Sequence, residues 1–337
     1  MSEPLKPPPV SPVQRILEMA SAFQASRVLL SAVELDLFTS LDEAPRASAE
    51  VARAIGADPR GTDRLMNALC ALGLLEKQED RFRNSPAASQ FLVRGKAGYI
   101  AGLMHWVHLW DSWSTLTAAV RRGGAVLRAP VGARGDDWLE AFISAMHWRA
   151  VQHAQEVVGG LDLAGVTRVL DVGGGSGAYA MAFIRAKPGL RATVFDLPAV
   201  LPLTRRHVEA ANLAGAIELV AGDYNTDPPG EGFDLVFLSA ILHSNSPEEN
   251  RQLLRRCGTA LTAGGQLVIQ EFLIHEERTG PVFPALFALN MLVGTPAGDT
   301  YTEAEIRAWM AEASVGEITR RDTPFGTGLL IGRRRGN

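Results

Sequence analysis

The sequence is poor in cysteine. Only Cys70 and Cys257 occur in 337 residues, too few for a disulfide framework and too far apart for a zinc knuckle, so a reducing, cytoplasmic compartment is expected. Basic charge is not in excess either: 33 Lys and Arg against 37 Asp and Glu leave a formal net charge of −4, which gives no reason to expect nucleic acid or a membrane surface as a partner. No uninterrupted apolar run reaches the roughly 18 to 20 residues of a membrane span. Met1 to Pro12 contain five prolines and one lysine, which lacks the charged and apolar regions of a secretory signal and reads as a flexible lead. No acid cluster is arranged for a magnesium ion, and His105, His108, His147 and His153 lack accompanying carboxylates, so no metal site is expected.

Apolar content is ample. At 47% hydrophobic residues the chain can bury a sizeable core, and its length suits two domains or one large domain with an extension. Four segments are expected: the lead (1–12), a winged-helix domain (13–95), linking helices (96–160), and an α/β domain (161–337). Val13 to Leu41 has a helical pattern that is apolar on more than one face, so its burial is expected against a second copy of the chain. Helices at Ser48–Ile55 and Arg60–Leu72, then a hairpin through Leu75 and Phe82, outline a winged helix. Its second helix offers only Arg60 and Arg64 as cations, so a structural wing is expected, with no DNA contact.

Two longer helices are expected at Ala97–Val126 and Asp136–Val158. Five of the six tryptophans (Trp106, Trp110, Trp113, Trp138 and Trp148) fall in this region, as a dimer core, as the roof of a pocket for a flat aromatic molecule, or as both. From Val166 onward strands alternate with helices. Arg168–Val172, Arg191–Asp196, Ile217–Ala221, Phe233–Leu238 and Gln266–Phe272 read as strands, with helical runs at Ala178–Lys187, Val200–Ala211, Pro247–Leu261 and Thr302–Ala313. That rhythm predicts an α/β fold with a doubly wound, Rossmann-like parallel sheet. Runs near Val315–Thr319 and Leu329–Gly332 are expected to hairpin onto it.

The sheet's first strand ends at Asp171, and Gly173, Gly174, Gly175 and Gly177 follow within a few residues before a helix begins. A strand end turning on glycines into a helix N-terminus is where nucleotide-like ligands sit in open α/β sheets. The turn fits a dinucleotide fingerprint, with Asp196 as the ribose acid. It also fits an acid-x-Gly-x-Gly-x-Gly loop, in which Asp171 repels a pyrophosphate but welcomes an amino-acid ammonium. S-adenosyl-L-methionine has that ammonium and no phosphate. Asp196 then suits its ribose, and Asp223 and Tyr224, after the third strand, suit its adenine.

At this point the sequence resembles the plant-type and bacterial S-adenosylmethionine-dependent O-methyltransferases that act on small molecules and carry an N-terminal winged-helix dimerisation domain. Val33 to Phe38, Asp171 to Gly177, Phe195 to Pro198, Gly222-Asp223, Leu242-His243 and Gly264-Gly265 carry the resemblance, which spans nearly the whole chain after residue 12. It implies a homodimeric enzyme class, with Gly173, Gly175, Asp196, Leu197, Asp223, Tyr224 and the residue at Ser239 lining the cofactor. It further implies His243 as general base for a hydroxyl of an aromatic or polyketide-like substrate, oriented by Glu271. Phe142, Met146 and Arg149 match or neighbour its pocket positions, and Asn290 and Met291 come from the later stretch; Trp106 is a candidate by composition. Three positions depart from the plant pattern: Ser244 replaces Asp, Thr300 replaces a second orienting Glu, and Ser239 replaces Lys. With fewer acids around it, His243 is expected to be less firmly held. Other readings are a relative that methylates carbon or nitrogen, or catalyses a different reaction, and a winged-helix regulator that senses S-adenosylmethionine.

Overall fold

The computed structural model describes residues 11–127 and 135–336. The expected lead lies outside the described residues up to residue 10, as does most of the loop between Gly123 and Gly135. The chain divides into two compact units, Met1–Val107 and His108–Asn337.

The first unit contains α1 (Pro12–Ser21), α2 (Phe23–Glu34), α3 (Leu37–Ser40), β1 (Arg46–Ala47), α4 (Ser48–Ala54), α5 (Pro59–Ala71), β2 (Leu75–Gln78), β3 (Arg81–Asn84), α6 (Pro86–Phe91) and the start of α7 (Leu103–Ser114). The small sheet runs β1-β3-β2, which is the wing. Asp58 starts α5 by accepting the N–H groups of Arg60 and Gly61, with Pro59 at the position where a missing N–H costs nothing. Leu37, Phe38, Val51, Met66, Leu69 and Phe82 form its core. No residue of α1 is buried. Val13, Ile16, Leu17, Met19 and Phe23 are exposed. By length and composition Pro12–Glu34, 23 residues with an 18-residue stretch of mean hydropathy 1.2, is apolar enough to cross a membrane, although it carries Arg15, Glu18, Arg27 and Glu34.

The helix expected over Ala97–Val126 is instead two, α7 and α8 (Leu116–Arg122). The reason is local: the hydroxyls of Ser114 and Thr115 bond back to the carbonyls of Asp111 and Ser112 and compete with the helical ladder.

The second unit continues with α9 (Asp136–Gly159), β4 (Arg168–Val172), α10 (Ala178–Ala186), β5 (Arg191–Asp196), α11 (Leu201–Ala210), β6 (Ile217–Ala221), β7 (Phe233–Ser239), α12 (Pro247–Ala260), β8 (Leu261–Glu271), α13 (Val282–Gly294), α14 (Glu303–Glu312), β9 (Val315–Asp322) and β10 (Gly328–Arg334). Strand order is β6-β5-β4-β7-β8-β10-β9. The first five strands are parallel, and the β9-β10 hairpin adds antiparallel to β8. Both faces are covered, so successive residues serve opposite cores. Leu170, Val172, Val236, Leu238, Leu267 and Ile269 pack with α12 and α14. Val169, Val194, Leu235, Phe237 and Val268 pack with α9 and α10. The register sets Val172 beside Phe195 and Leu238, so β4, β5 and β7 end together and open one edge for a site.

Candidate active site

The glycine turn leaves β4 at that edge. Gly173 has φ +62° and its N–H donates to the Phe195 carbonyl at 2.8 Å; a Cβ there would lie 2.4 Å from Ile241 Cδ1. Gly175 has φ +55°, and a Cβ on it would meet only Ile143 at 3.9 Å. The turn is thus closed on the sheet side and open at Gly175. Asp196, at the end of β5, is 7% exposed, and its oxygens accept the N–H groups of Gly175 (2.8 Å) and Leu197 (2.7 Å). Burial pushes its carboxyl up to about 6. Leu197 packs beside Phe142, Ile143 and Val200, and Phe142 stacks on Trp138 at 5.2 Å. Asp223 accepts the Asn225 N–H at 2.8 Å. Tyr224 packs against the core containing Ile241, and burial raises its phenol.

Two residues read as cofactor ligands face inward. Asp171 is 1% exposed, and its carboxylate accepts the Ala180 N–H at the start of α10 at 3.2 Å. Burial first, with the nearby Asp196 charge adding to it, pushes its carboxyl up to about 7. Ser239 donates to Gln270 Oε1 at 3.0 Å. Both sit on the sheet face that α9 and α10 cover, where strand alternation places Val169 and Phe237.

Beyond β7 the chain bends through Ala240, at φ +57°, into a short 3-10 turn over Leu242–Ser244. His243 in that turn is 8% exposed. Its Nδ1 lies 2.8 Å from Glu271 Oε1, while its backbone N–H donates to Oε2 at 3.3 Å. The Phe272 N–H adds a third donor to Glu271, at 3.1 Å. A carboxylate that already receives two N–H groups takes the Nδ1 proton as donor, leaving Nε2 with the lone pair. One carboxylate therefore sets the imidazole's tautomer and orientation. Thr300, where the plant pattern has a second Glu, is fully buried and gives its hydroxyl to the Pro284 carbonyl at 3.2 Å.

An aromatic wall surrounds His243. Phe287 meets the imidazole edge-on at 4.8 Å, and Phe272 lies 6.2 Å away. Phe283 and Phe287 stack at 5.5 Å. The guanidinium carbon of Arg149 stands 4.7 Å from the Phe272 ring and 5.6 Å from Phe283. On α13 the positions 283, 287 and 290 fall on one face, so Asn290 joins the same side, its Oδ1 accepting Trp113 Nε1–H at 2.8 Å. Met291 is buried and Met146 half-buried. Trp106 belongs to the first unit and is 57% exposed.

The sequence reading missed one link to the turn. His147 Nδ1 lies 2.9 Å from Ser176 Oγ, and its ring stacks on His207 at 3.9 Å. Burial, then His207, pushes His147 down to about 4. It is a neutral strut between α9, α11 and the glycine turn. Only its distance in sequence hid it.

Comparison with known proteins agrees with this geometry. Residues 113–315 match the O-methyltransferase domain family, and residues 17–94 match the O-methyltransferase dimerisation domain. The chain is 34% identical over 334 residues to the 3-hydroxy-5-methyl-1-naphthoate 3-O-methyltransferase of Streptomyces sahachiroi, covering 97% of this chain and 96% of that protein. It is also 34% identical over 326 residues to the tetracenomycin polyketide synthesis 8-O-methyl transferase TcmO of Streptomyces glaucescens, covering 95% and 96%. Among solved structures, human N-acetylserotonin methyltransferase in complex with SAM superposes with a TM-score of 0.85 at 26% identity, over 98% of this chain and all of that one. S-adenosylmethionine is the cofactor of such enzymes, and the space open at Gly175 beside the Asp196 carboxylate suits an uncharged ribose better than a pyrophosphate. The chain belongs to the S-adenosylmethionine-dependent O-methyltransferase family, with the family's dimerisation domain preceding its catalytic domain.

Proposed function

We propose that this enzyme methylates a hydroxyl group on a fused aromatic, polyketide-derived metabolite, with His243 as general base. The His243–Glu271 pair, at the strand edge that also carries the glycine turn, is the observation that carries this reading. The relatives named for a naphthoate and for tetracenomycin support the substrate class. Gly173, Gly175, Asp196, Leu197, Asp223 and Tyr224 are read as the cofactor's surroundings, and the bound cofactor supplies an electrophilic methyl group on a sulfonium. Asp171 and Ser239 support the turn and the sheet from beneath.

With the cofactor held by these residues and supplying its methyl group, His243 Nε2 would take the proton of the hydroxyl as the substrate oxygen is methylated. The Glu271 carboxylate then faces a newly formed imidazolium. A phenol near pKa 10 and an imidazole near 6.5 make deprotonation ahead of attack cost about 5 kcal/mol, so the base acts during methyl transfer. General-base help contributes about 10²- to 10⁴-fold, less than the roughly 7 to 11 kcal/mol that alignment of two reactants can supply. The aromatic wall of Phe272, Phe283 and Phe287 therefore does more than the base: it holds a flat ring with its hydroxyl at Nε2. Self-association through the first unit is read as a homodimer, with the exposed apolar face of α1 at the contact.

Calorimetric titration with S-adenosylhomocysteine, followed by methylation assays on naphthols and hydroxyanthraquinones, tests the proposal. Tight binding and O-methylated products are expected. Binding without methylation of any phenolic probe would remove the reaction and leave the cofactor.

A further inference from the structure

Half-buried arginines in the second unit end on oxygen. Arg256 donates to the carbonyls of Tyr224 and Asn225 at 3.1 and 2.6 Å, and Arg307 donates to Glu303 and the Ile318 carbonyl at 2.6 and 2.7 Å. Arg149 on α9 is the exception. It is half-buried, yet it has neither a hydrogen-bond acceptor nor an ion pair among the described residues. What fixes it is the face of its guanidinium against Phe272 and Phe283. Tyr179 and Glu271 favour its charge and His153 on the same helix opposes it, while Glu271 is already engaged with His243 and the Phe272 N–H.

Stacking uses the face of a guanidinium and leaves its in-plane N–H groups unspent. A cation partly withdrawn from water with unspent donors is costly unless an anion completes it. The in-plane fork of arginine matches a carboxylate in two parallel hydrogen bonds. Phe272 borders both this fork and the His243 ring, so a flat molecule lying along that wall presents one end to each.

We infer that Arg149 anchors a carboxylate on the aromatic substrate, so that the molecule methylated beside His243 is a hydroxy-aromatic acid. This rests on the O-methyltransferase reading above and narrows its substrate class. Arg149 is a specificity determinant in this scheme, and His243 remains the group at the reacting hydroxyl.

The test pairs hydroxynaphthoic acids with the naphthols that lack the carboxyl group, in the full-length enzyme with S-adenosylmethionine. A hydrogen-bonded charge pair predicts a preference of about ten- to a hundredfold in kcat/KM for the acid. That ratio is expected to collapse toward one in Arg149→Met and to persist in part in Arg149→Lys, which keeps the charge but loses the fork. Equal use of acid and naphthol by the wild type, or an equal loss on both in Arg149→Met, overturns the inference. Should no probe be methylated, calorimetric binding of the same pairs to the S-adenosylhomocysteine complex reads the anchor separately from the chemistry. Acid binding that Arg149→Met does not weaken would overturn it there. If the Met variant fails to fold, Arg149→Lys carries the comparison: an unchanged acid preference again overturns the anchor.

Discussion

Glu271 grips His243 at two points, accepting its Nδ1–H at 2.8 Å with one oxygen and its backbone N–H at 3.3 Å with the other. Side chain and main chain of His243 are thereby fixed by one group that is 1% exposed. Glu271→Gln replaces one acceptor oxygen with an NH₂ group and removes the charge that faces the imidazolium. The expected result is a fall in kcat of about 10- to 10²-fold, part of the roughly 10²- to 10⁴-fold a general base supplies, with S-adenosylhomocysteine affinity changed only a few-fold. His243→Ala should lose the whole general-base factor. Equal kcat in Glu271→Gln and wild type would remove Glu271 from the mechanism.

Asp196 gives a pH dependence to cofactor binding. On the proposed reading, in which its carboxylate accepts the ribose hydroxyls, only the ionised form binds well, and burial pushes its pKa up to about 6. The competent fraction falls as pH drops through that value. The dissociation constant for S-adenosylhomocysteine should therefore be flat above about pH 7 and rise toward tenfold per unit below about 6. Asp196→Asn should bind more weakly at pH 8 and show no such rise. Titrations between pH 5 and 8 measure both.

Much of this fold was legible because each parallel strand is a short apolar run stopped by glycine, a carboxylate or a turn. β4, β5 and β6 fall where expected to the residue, and His243 and Glu271, named from motif positions, lie together in the structure. Other parts carry no local signal. α13 reads as apolar all round, and Gly280, Pro281, Pro284, Pro296 and Gly298 surround or interrupt it, so neither period nor caps mark it. The Trp113–Asn290 bond joins residues 177 apart. The wall around Arg149 comes from α9, the end of β8 and α13, and exists only once the sheet has brought them together. Asp171 was read as a ligand from its place at a strand end and Ser239 from the resemblance; strand alternation turns both onto the sheet face opposite the one that carries Glu271.

Asp171 lets the cost of a buried acid be read from stability. Its folded pKa is about 7, against roughly 3.9 unfolded. Between about pH 4 and 7 the folded chain holds a proton that the unfolded chain has released, so this group lowers stability as pH rises through that window. His147 works in the opposite sense, since its folded value of about 4 lies below an unfolded value near 6.5, and its contribution rises with pH over about 4 to 6.5. Asp171→Asn keeps an oxygen for the Ala180 N–H and removes only the charge. Urea unfolding of the variant should show higher stability than wild type at pH 8 and a difference that shrinks toward pH 4. A variant less stable at pH 8 would mean that the ionised carboxylate is itself needed to hold the glycine turn.

Gly298 controls where His243 sits. The Asp299 N–H donates to the His243 carbonyl at 3.0 Å, and a Cβ on Gly298 would fall 2.3 Å from that same oxygen, 2.6 Å from Thr295 Oγ1 and 3.2 Å from the Ser244 carbonyl carbon. Two of these three neighbours are main-chain atoms of the turn that carries His243, so Gly298→Ala cannot be relieved by a rotamer change alone and must push the turn. Overpacking of this kind costs about 1 to 3 kcal/mol, and a displacement of about 1 Å at a reacting group can cost about 10²-fold in rate. The variant should lose stability and kcat together while keeping most of its affinity for S-adenosylhomocysteine. Gly159→Ala is the control, because a Cβ there meets nothing within 4 Å and helical Gly→Ala changes stabilise by about 0.4 to 1 kcal/mol. Normal kcat in a folded Gly298→Ala enzyme would show that the turn tolerates the shift, and that His243 is not held to the position its contacts define.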